Sequence, residues 1–258
     1  KQSSAKRCLI LLAGGVVNCL VAWFAIVLML SVGYVQYRPV IDEVIPNSLA
    51  AQAGFRAGDR ILAINGETIA SWQQAGMKLI TELGHPALKL ELINDKKQSR
   101  MVALDLYNLN DGYHHGLFFK RIGFKAKLDD STRQWVDAQP VYRAVPHAFS
   151  QIMSFLLYDF TVLKLLITGA IPFSMLLGPL GLFAISIHSF IQGFSTFMLF
   201  LALLSLAVGV VNYLPLPGLD GGSVFYLLLE KIRGKPLSVA MEILLYRLAS
   251  IIFVIVLV

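Results

Sequence analysis

Residues 212–222 read NYLPLPGLDGG and close an apolar run, residues 194–211, FSTFMLFLALLSLAVGVV. A helix that merely anchors a protein has no need to end in two prolines, three glycines and a carboxylate. A break of helical backbone at membrane depth leaves amides and carbonyls unpaired, which is tolerated only where protein or a water-filled cavity satisfies them. Pro215 and Pro217 force such a break, since neither can donate and each crowds the preceding turn. Gly218, Gly221 and Gly222 then permit close backbone approach, and Asp220 is aimed into a polar site near one membrane face. An ionisable residue there is read as functional, because burying it is costly unless something pairs with it. A metal cation is the best available partner. The competing reading makes Asp220 the N-cap of the helix that follows, GGSVFYLLLEKI, accepting bonds from its first free amides.

The rest of the chain supports a membrane setting. Its 258 residues are 56% hydrophobic and 15% charged, with a mean hydropathy of +0.66, values foreign to an ordinary soluble domain. A span needs roughly 20 apolar residues, and residues 8–32 and 194–214 supply them without any Asp, Glu, Lys or Arg. Residues 248–258 are as apolar but stop with no polar flank, and the chain starts abruptly at Lys1, so a fragment is expected. The basic residues 1–7 are read as the flank of a retained span, not as part of a cleaved signal peptide.

The net charge of +6 comes from Lys and Arg that lie largely beside apolar spans, which points to membrane lipid as a partner and away from nucleic acid. Lys1, Lys6 and Arg7 precede the first span, and Lys231, Arg233 and Lys235 follow the second. By the positive-inside tendency both of these ends are cytoplasmic, and residues 33–193 lie on the far side. Cys8 and Cys19 sit inside the first apolar run, where a disulfide framework is not expected.

From Pro39 onward the character changes. Residues 40–69, VIDEVIPNSLAAQAGFRAGDRILAINGETI, alternate strand-like runs with turn signals, and Asn65-Gly66 between ILAI and ETI marks a type I′ turn. A helix over residues 71–83, the strand LKLELI, the charged turn NDKKQSR and the strand MVALDL complete a small α+β module, with LFFKRIGF expected as a closing strand. The segment PNSLAAQAGFRAGDRILAINGETIASW resembles the core of a bacterial, circularly permuted PDZ domain, with Asn47-Ser48, Ala53-Gly54, Gly58-Asp59 and Asn65-Gly66 in the expected places. Such domains take up an extended peptide as an added strand. The alternative is a PDZ-shaped spacer that excludes bulky substrates without binding peptide.

The histidines are read as bystanders. His114 and His115 are adjacent on a polar loop, His85 and His147 stand beside prolines, and none has a second ligand at helical spacing. His188 reads as a helix-end residue. Residues 142–169 are apolar but carry Asp159 and Lys164, and a lone crossing there would break the charge-derived topology. They are therefore expected to lie along the membrane interface. The other choice is a span paired with residues 176–193, where Gly178-Pro179 would break the helix.

The motif NYLPLPGLDGG closely resembles the Asn-x-x-Pro-x-Pro-x-Leu-Asp-Gly motif of the site-2 protease family of intramembrane zinc metalloproteases. EKIRGKPLS, which follows it, resembles the turn between that family's third and fourth core helices. The likeness extends over nearly the whole chain, and within the family it is strongest to the bacterial regulator of sigma-E protease branch, which cleaves anti-sigma factors. The resemblance implies that Asp220 is the third zinc ligand. It implies that Asn212, with Pro215 and Pro217, positions the substrate strand. Asn18, in LLAGGVVNCL, matches an asparagine of a Gly-Pro-x-x-Asn pattern in the second core helix, although Gly15 stands where that pattern has proline. From the residues alone Asn18 reads equally well as interhelical glue.

Zinc-dependent peptide hydrolysis needs three protein ligands, an open position for water and a base. The family supplies two histidines and the glutamate from His-Glu-x-x-His, yet none of the five histidines here is followed by Glu. No catalytic residue is therefore assigned within this chain. Two hypotheses follow. One is a fragment of a bacterial inner-membrane zinc endopeptidase, acting on transmembrane proteins already trimmed by another protease, with its PDZ domain on the periplasmic side. The other is a non-catalytic, membrane-tethered PDZ receptor. Either way the expected fold is a polytopic α-helical membrane protein with an inserted α+β PDZ domain. Its parts are a transmembrane helix at 1–33, a PDZ domain with closing strand at 34–125, an interfacial helical segment at 126–193, and transmembrane helices with the Leu-Asp-Gly motif at 194–258, cut short at the end.

Overall fold

The computed structural model describes residues 4–107, 118–172, 177–214, 216, 218–233, 244 and 247. In chain order its elements are α1 (Ser4–Val32), β1 (Tyr34–Tyr37), β2 (Ile41–Val44), α2 (Leu49–Gln52), β3 (Arg60–Ile64), β4 (Glu67–Thr68), α3 (Trp72–Thr81), β5 (Leu88–Ile93) and β6 (Ser99–Leu104). They continue as α4 (Phe118–Ile122), β7 (Phe124–Ala126), β8 (Arg133–Val136), α5 (Val141–Ile167), α6 (Pro179–Gln192), α7 (Phe194–Asn212) and α8 (Asp220–Arg233). The chain divides into two compact units. One comprises residues 1–33, 138–160 and 173–258; the other comprises 34–137 and 161–172.

The first unit is helical. Among the described residues, three helical stretches are long and apolar enough to cross a membrane: Ala13–Val32, Val141–Ile167 and Phe194–Asn212. Helices α1 and α7 pack together. Each turns a stripe inward at i, i+4 and i+8: Ala22, Ile26 and Leu30 on α1, and Ala202, Leu206 and Val210 on α7. The alanines in both stripes let the two backbones approach closely, as membrane helix pairs require. Leu20, Val21 and Phe24, by contrast, stay exposed, as lipid-facing side chains do.

The segment expected to lie in the interface forms a single 27-residue helix, α5, of spanning length, with Asp159 half-buried on it. Trp23 of α1 donates its indole N–H to the Val145 carbonyl of α5 at 3.4 Å. Gly178-Pro179 does not interrupt a helix but begins one. Gly178 is the N-cap of α6 and Pro179 its first residue, where a missing N–H costs nothing.

The second unit is α+β. Strands run antiparallel in the order β4-β3-β5-β6, β2 pairs with β7, and β1 pairs with β8. Asn65 and Gly66 both take positive φ, 50° and 81°, and join β3 to β4 by the tight turn their sequence implies. Strand β5 buries Leu88, Leu90 and Leu92 on one face, and α3 buries Trp72, Ala75 and Leu79. Ser71 caps α3 by accepting the Gln74 amide. Leu165, Leu166 and Ile171 join the same core. Each large apolar side chain fully buried there contributes about 1.5–3 kcal/mol before entropy is counted.

One expectation needs correcting. LFFKRIGF was to form a strand, but Phe118–Ile122 is the short helix α4, and only Phe124–Ala126 extends as β7. Gly123 makes the switch at φ 103°. Its carbonyl accepts from the Ile45 amide at 2.7 Å, and a Cβ there would stand 2.0 Å from that of Ser48. The close approach to Ser48 leaves no room for a continuous strand bearing a side chain at this point.

Candidate functional site

Helix α7 ends at Asn212 with Tyr213 as its C-cap. The chain then turns tightly, the Leu216 amide bonding the Leu214 carbonyl at 2.8 Å and the Leu219 amide bonding the Leu216 carbonyl at 3.2 Å. Gly218 takes φ 93°. Pro215 and Pro217 lie outside the described residues. Helix α8 begins against the end of α7 so closely that a Cβ on Gly221 would fall 2.2 Å from the Tyr213 carbonyl oxygen.

Asp220 is the first residue of α8. It is half-buried at a helix N-terminus, whose partial positive charge favours a carboxylate. Among the described residues its side chain accepts no hydrogen bond from the first amides of α8; the Ser223 amide goes to the Leu219 carbonyl at 3.1 Å. The carboxylate instead faces α1. A Cβ built on Gly14 would lie 2.7 Å from Asp220 Oδ2.

The next residue of α1 completes the contact. A Cβ on Gly15 would come within 2.2 Å of the Tyr213 ring and hydroxyl. One turn beyond Gly14 stands Asn18, half-buried, where Ser205 Oγ of α7 donates to its backbone carbonyl at 3.0 Å and lies 3.5 Å from Oδ1. The 3.0 Å bond is made to the Asn18 backbone, with its side-chain amide oxygen at the longer distance. Asn212 is half-buried at the end of α7. Asp220 of α8 thus meets α1 at Gly14, one helical turn from Asn18.

The turn-rich end of the span singled out Asp220 and the family resemblance singled out Asn18 and Asn212, while Gly14, Tyr213 and Ser205 were missed. The signal for Gly14 was present, since a Gly-Gly pair in an apolar helix, one turn before an asparagine, marks a place where something approaches closely.

A zinc ion implied by the motif finds one ligand-type group in this arrangement. The Asp220 carboxylate has room because Gly14 carries no side chain. No three His, Cys, Asp or Glu side chains gather elsewhere among the described residues at a spacing that would hold a metal. These residues fit one corner of a metal site, so no metal-centred step is derived from them alone.

Apolar helices of spanning length thus meet at a tight turn that presents a carboxylate to the bare backbone of Gly14. The chain belongs to Peptidase family M50, the site-2 protease family, whose model matches residues 1–257. It is similar to the regulator of sigma-E protease RseP of Escherichia coli, 30% identical over 222 residues that cover 85% of this chain and 48% of that protein. It is similar also to protease RseP of Yersinia pestis, at 31% over 227 residues with coverage of 85% and 48%. The zinc metalloprotease RasP of Bacillus licheniformis matches at 29% over 231 residues, with coverage of 88% and 51%. The chain spans about half the length of the curated relatives it matches.

Proposed function

We propose that this chain is part of an intramembrane zinc endopeptidase of the bacterial inner membrane, with Asp220 as one of its zinc ligands. The observation that carries the reading is the Asp220 carboxylate, half-buried, unbonded to its own helix among the described residues, and seated against the bare backbone of Gly14. Zinc, when bound, supplies Lewis acidity that brings the pKa of a coordinated water toward neutrality.

The chain's own residues position and select. A substrate helix shields its carbonyls in intrahelical bonds, so it must unwind before it is cut. Asn212, at the end of α7, is suited to hold the extended segment, with Pro215 and Pro217 in the same stretch. The Ser205 hydroxyl holds α7 to α1 through the Asn18 backbone carbonyl and so keeps Gly14 aligned with Asp220. Residues 34–125 act as a PDZ domain on the periplasmic side; turn chemistry at Asn47, Gly54, Gly58 and Asn65, all at positive φ, supports that reading. The substrates are transmembrane proteins, such as anti-sigma factors, whose outer region another protease has already removed.

The test is cleavage in membranes by the native protein, using one transmembrane reporter with its outer domain intact and one with it removed. The wild type is expected to cut the trimmed reporter in a zinc-dependent manner, and Asp220→Ala to cut neither. Retained cleavage by Asp220→Ala with normal zinc content would remove Asp220 from the site.

A second reading, a membrane-tethered PDZ receptor that binds peptide without cutting it, is favoured by one feature of the α+β unit. Strand β7 pairs with β2 alone among the described residues and leaves its other edge open to strand addition. This reading predicts saturable peptide binding with neither zinc nor cleavage.

A further inference from the structure

The α+β unit holds a cavity of about 410 Å³, inside the range of about 300–1,000 Å³ found for small-molecule sites. It lies on the outer face of the sheet. Across β3 and β5, Ile61 pairs with Leu92 and Ile64 with Leu90, and all four are buried. Ala63 pairs with Glu91, and strand alternation sends that pair to the opposite face, where both line the cavity. The cavity is therefore on the side of the sheet away from the core that receives Trp72, Ala75 and Leu79 of α3.

The strand register builds its walls. Thr68, Ala63 and Glu91 form a row over β4, β3 and β5, and the small Ala63 at its centre leaves a hollow between two polar neighbours. Leu62 and Ala63 both line the cavity although they are consecutive. The register shift between Ile61 and Ala63 permits this, because a bulge interrupts the alternation. A second wall comes from the ribbon of β1 and β8, where Gln36 and Gln134 stand directly across from each other and project on the same side.

The charges here are uncommitted. Arg60 and Glu91 line the cavity half-buried, and neither is in an ion pair among the described residues. They are diagonal neighbours, since Arg60 stands opposite Ile93, two residues along β5 from Glu91, and such neighbours are about 7–8 Å apart. Arg38, also half-buried, is anchored by Nη2, which donates to the Ser131 carbonyl at 2.6 Å. Its Nε is buried without an acceptor, an incompleteness that native structures seldom keep. Two guanidiniums and one carboxylate thus border a shared space, to which Pro39, Leu62 and Ile69 add apolar surface.

We propose that this cavity binds a small zwitterion of dipeptide size, its carboxylate held by Arg60 and Arg38 and its ammonium group by Glu91. A guanidinium suits a carboxylate because its N–H donors match the two oxygens. A dipeptide, at most about 3.6 Å per residue, spans about 7 Å, which matches the separation of Arg60 from Glu91. A longer peptide places its termini too far apart to satisfy both ends, and a ligand without a cationic group leaves Glu91 to repel its carboxylate. The site is independent of Asp220 and of zinc.

The test is isothermal titration calorimetry on the full chain in detergent micelles, with the dipeptide Ala-Leu, its N-acetyl form and its C-terminal amide as probes. Heats of dilution into empty micelles are subtracted. Ala-Leu is expected to bind saturably, with each capped form at least about tenfold weaker, the cost of losing one charge-assisted contact. Arg60→Gln is expected to weaken Ala-Leu by about tenfold or more for the same reason. In Glu91→Gln the N-acetyl form should bind as well as Ala-Leu, because both changes remove one and the same contact. Lack of saturable Ala-Leu binding to the wild type up to about 10 mM overturns the site. A capped form that binds the wild type as tightly as Ala-Leu overturns the zwitterion assignment, and so does an Arg60→Gln chain, folded by circular dichroism, that binds like the wild type. Should Arg60→Gln fail to fold, the ranking of the three probes on the wild type decides alone.

Discussion

The Asp220 carboxylate fills the place that a side chain on Gly14 would take, Oδ2 lying 2.7 Å from where a Cβ would stand. The two residues belong to helices far apart in sequence, and their contact holds a charged group at the first turn of α8 against the backbone of α1. A carboxylate in such surroundings is expensive unless it has a cationic partner. That expense is the physical argument for its role.

Gly14→Ala is expected to separate activity from stability. The clashing atom is the end of a short side chain, which can rotate away, so thermal stability should change by less than about 1 kcal/mol. The carboxylate would then point elsewhere, and cleavage of a trimmed transmembrane reporter should fall at least about a hundredfold, in line with losing a zinc ligand or its orientation. Unchanged cleavage would mean that the Gly14 contact does not position Asp220.

Gly123→Ala attacks the second unit. The substitution forces an L residue to φ 103° and drives its Cβ to 2.0 Å from that of Ser48 and 3.4 Å from the Ser48 Cα. Backbone strain and overpacking each cost about 1–3 kcal/mol. A loss of at least about 3 kcal/mol is expected in chemical unfolding of the α+β unit.

Asp59 holds two strands and a turn together. Its side chain is 2% exposed, and it pairs with Arg100 of β6. It also accepts the Arg56 amide at 2.7 Å, while Arg100 donates to the Gly54 carbonyl at 2.9 Å. Removing one member of a buried pair strands the other. Because the Arg100 side chain is 27% exposed, Asp59→Ala is expected to cost about 3 kcal/mol, the lower end of the range for such pairs. Thermal melting of the two proteins side by side measures it.

Much of the second unit was legible because its signals are local. Asn65-Gly66 dictates a turn by its own φ preferences, and Leu88, Leu90 and Leu92 alternate with polar neighbours as a half-buried strand must. The pairing of β1 with β8 was not legible, since partners so distant in the chain leave no local mark. Nor was α4, because five residues of mixed apolar and basic character carry no decisive period, and the bend at Gly123 depends on Ser48. At the candidate site, the proline- and glycine-rich turn pointed to Asp220, and only the family resemblance pointed to Asn18. Gly15 read only as a departure from the family's proline. The structure supplies its physical reason, since the Tyr213 ring lies where any larger residue would put its Cβ.

Lys78 offers a pH test. Its ammonium bonds Glu67 at 2.7 Å and lies 3.5 Å from Glu82. The bond to Glu67 is the largest influence on it and outweighs partial burial to raise its pKa above the usual 10.5. A raised folded-state pKa means the contribution is complete below the unfolded lysine value of about 10.4 and is lost as pH rises through the folded value. The melting-temperature difference between wild type and Lys78→Met should therefore be constant from neutral pH to about 10 and shrink above it. A difference that persists unchanged above that range would contradict the ion pair.

The central claim, that Asp220 is a zinc ligand, is tested most directly by the zinc content of the native protein purified with and without Asp220→Asn, measured by inductively coupled plasma mass spectrometry. The account predicts close to one zinc per wild-type chain and a loss of about tenfold or more in the variant, whose neutral amide replaces a carboxylate ligand. Equal zinc in both proteins would contradict it.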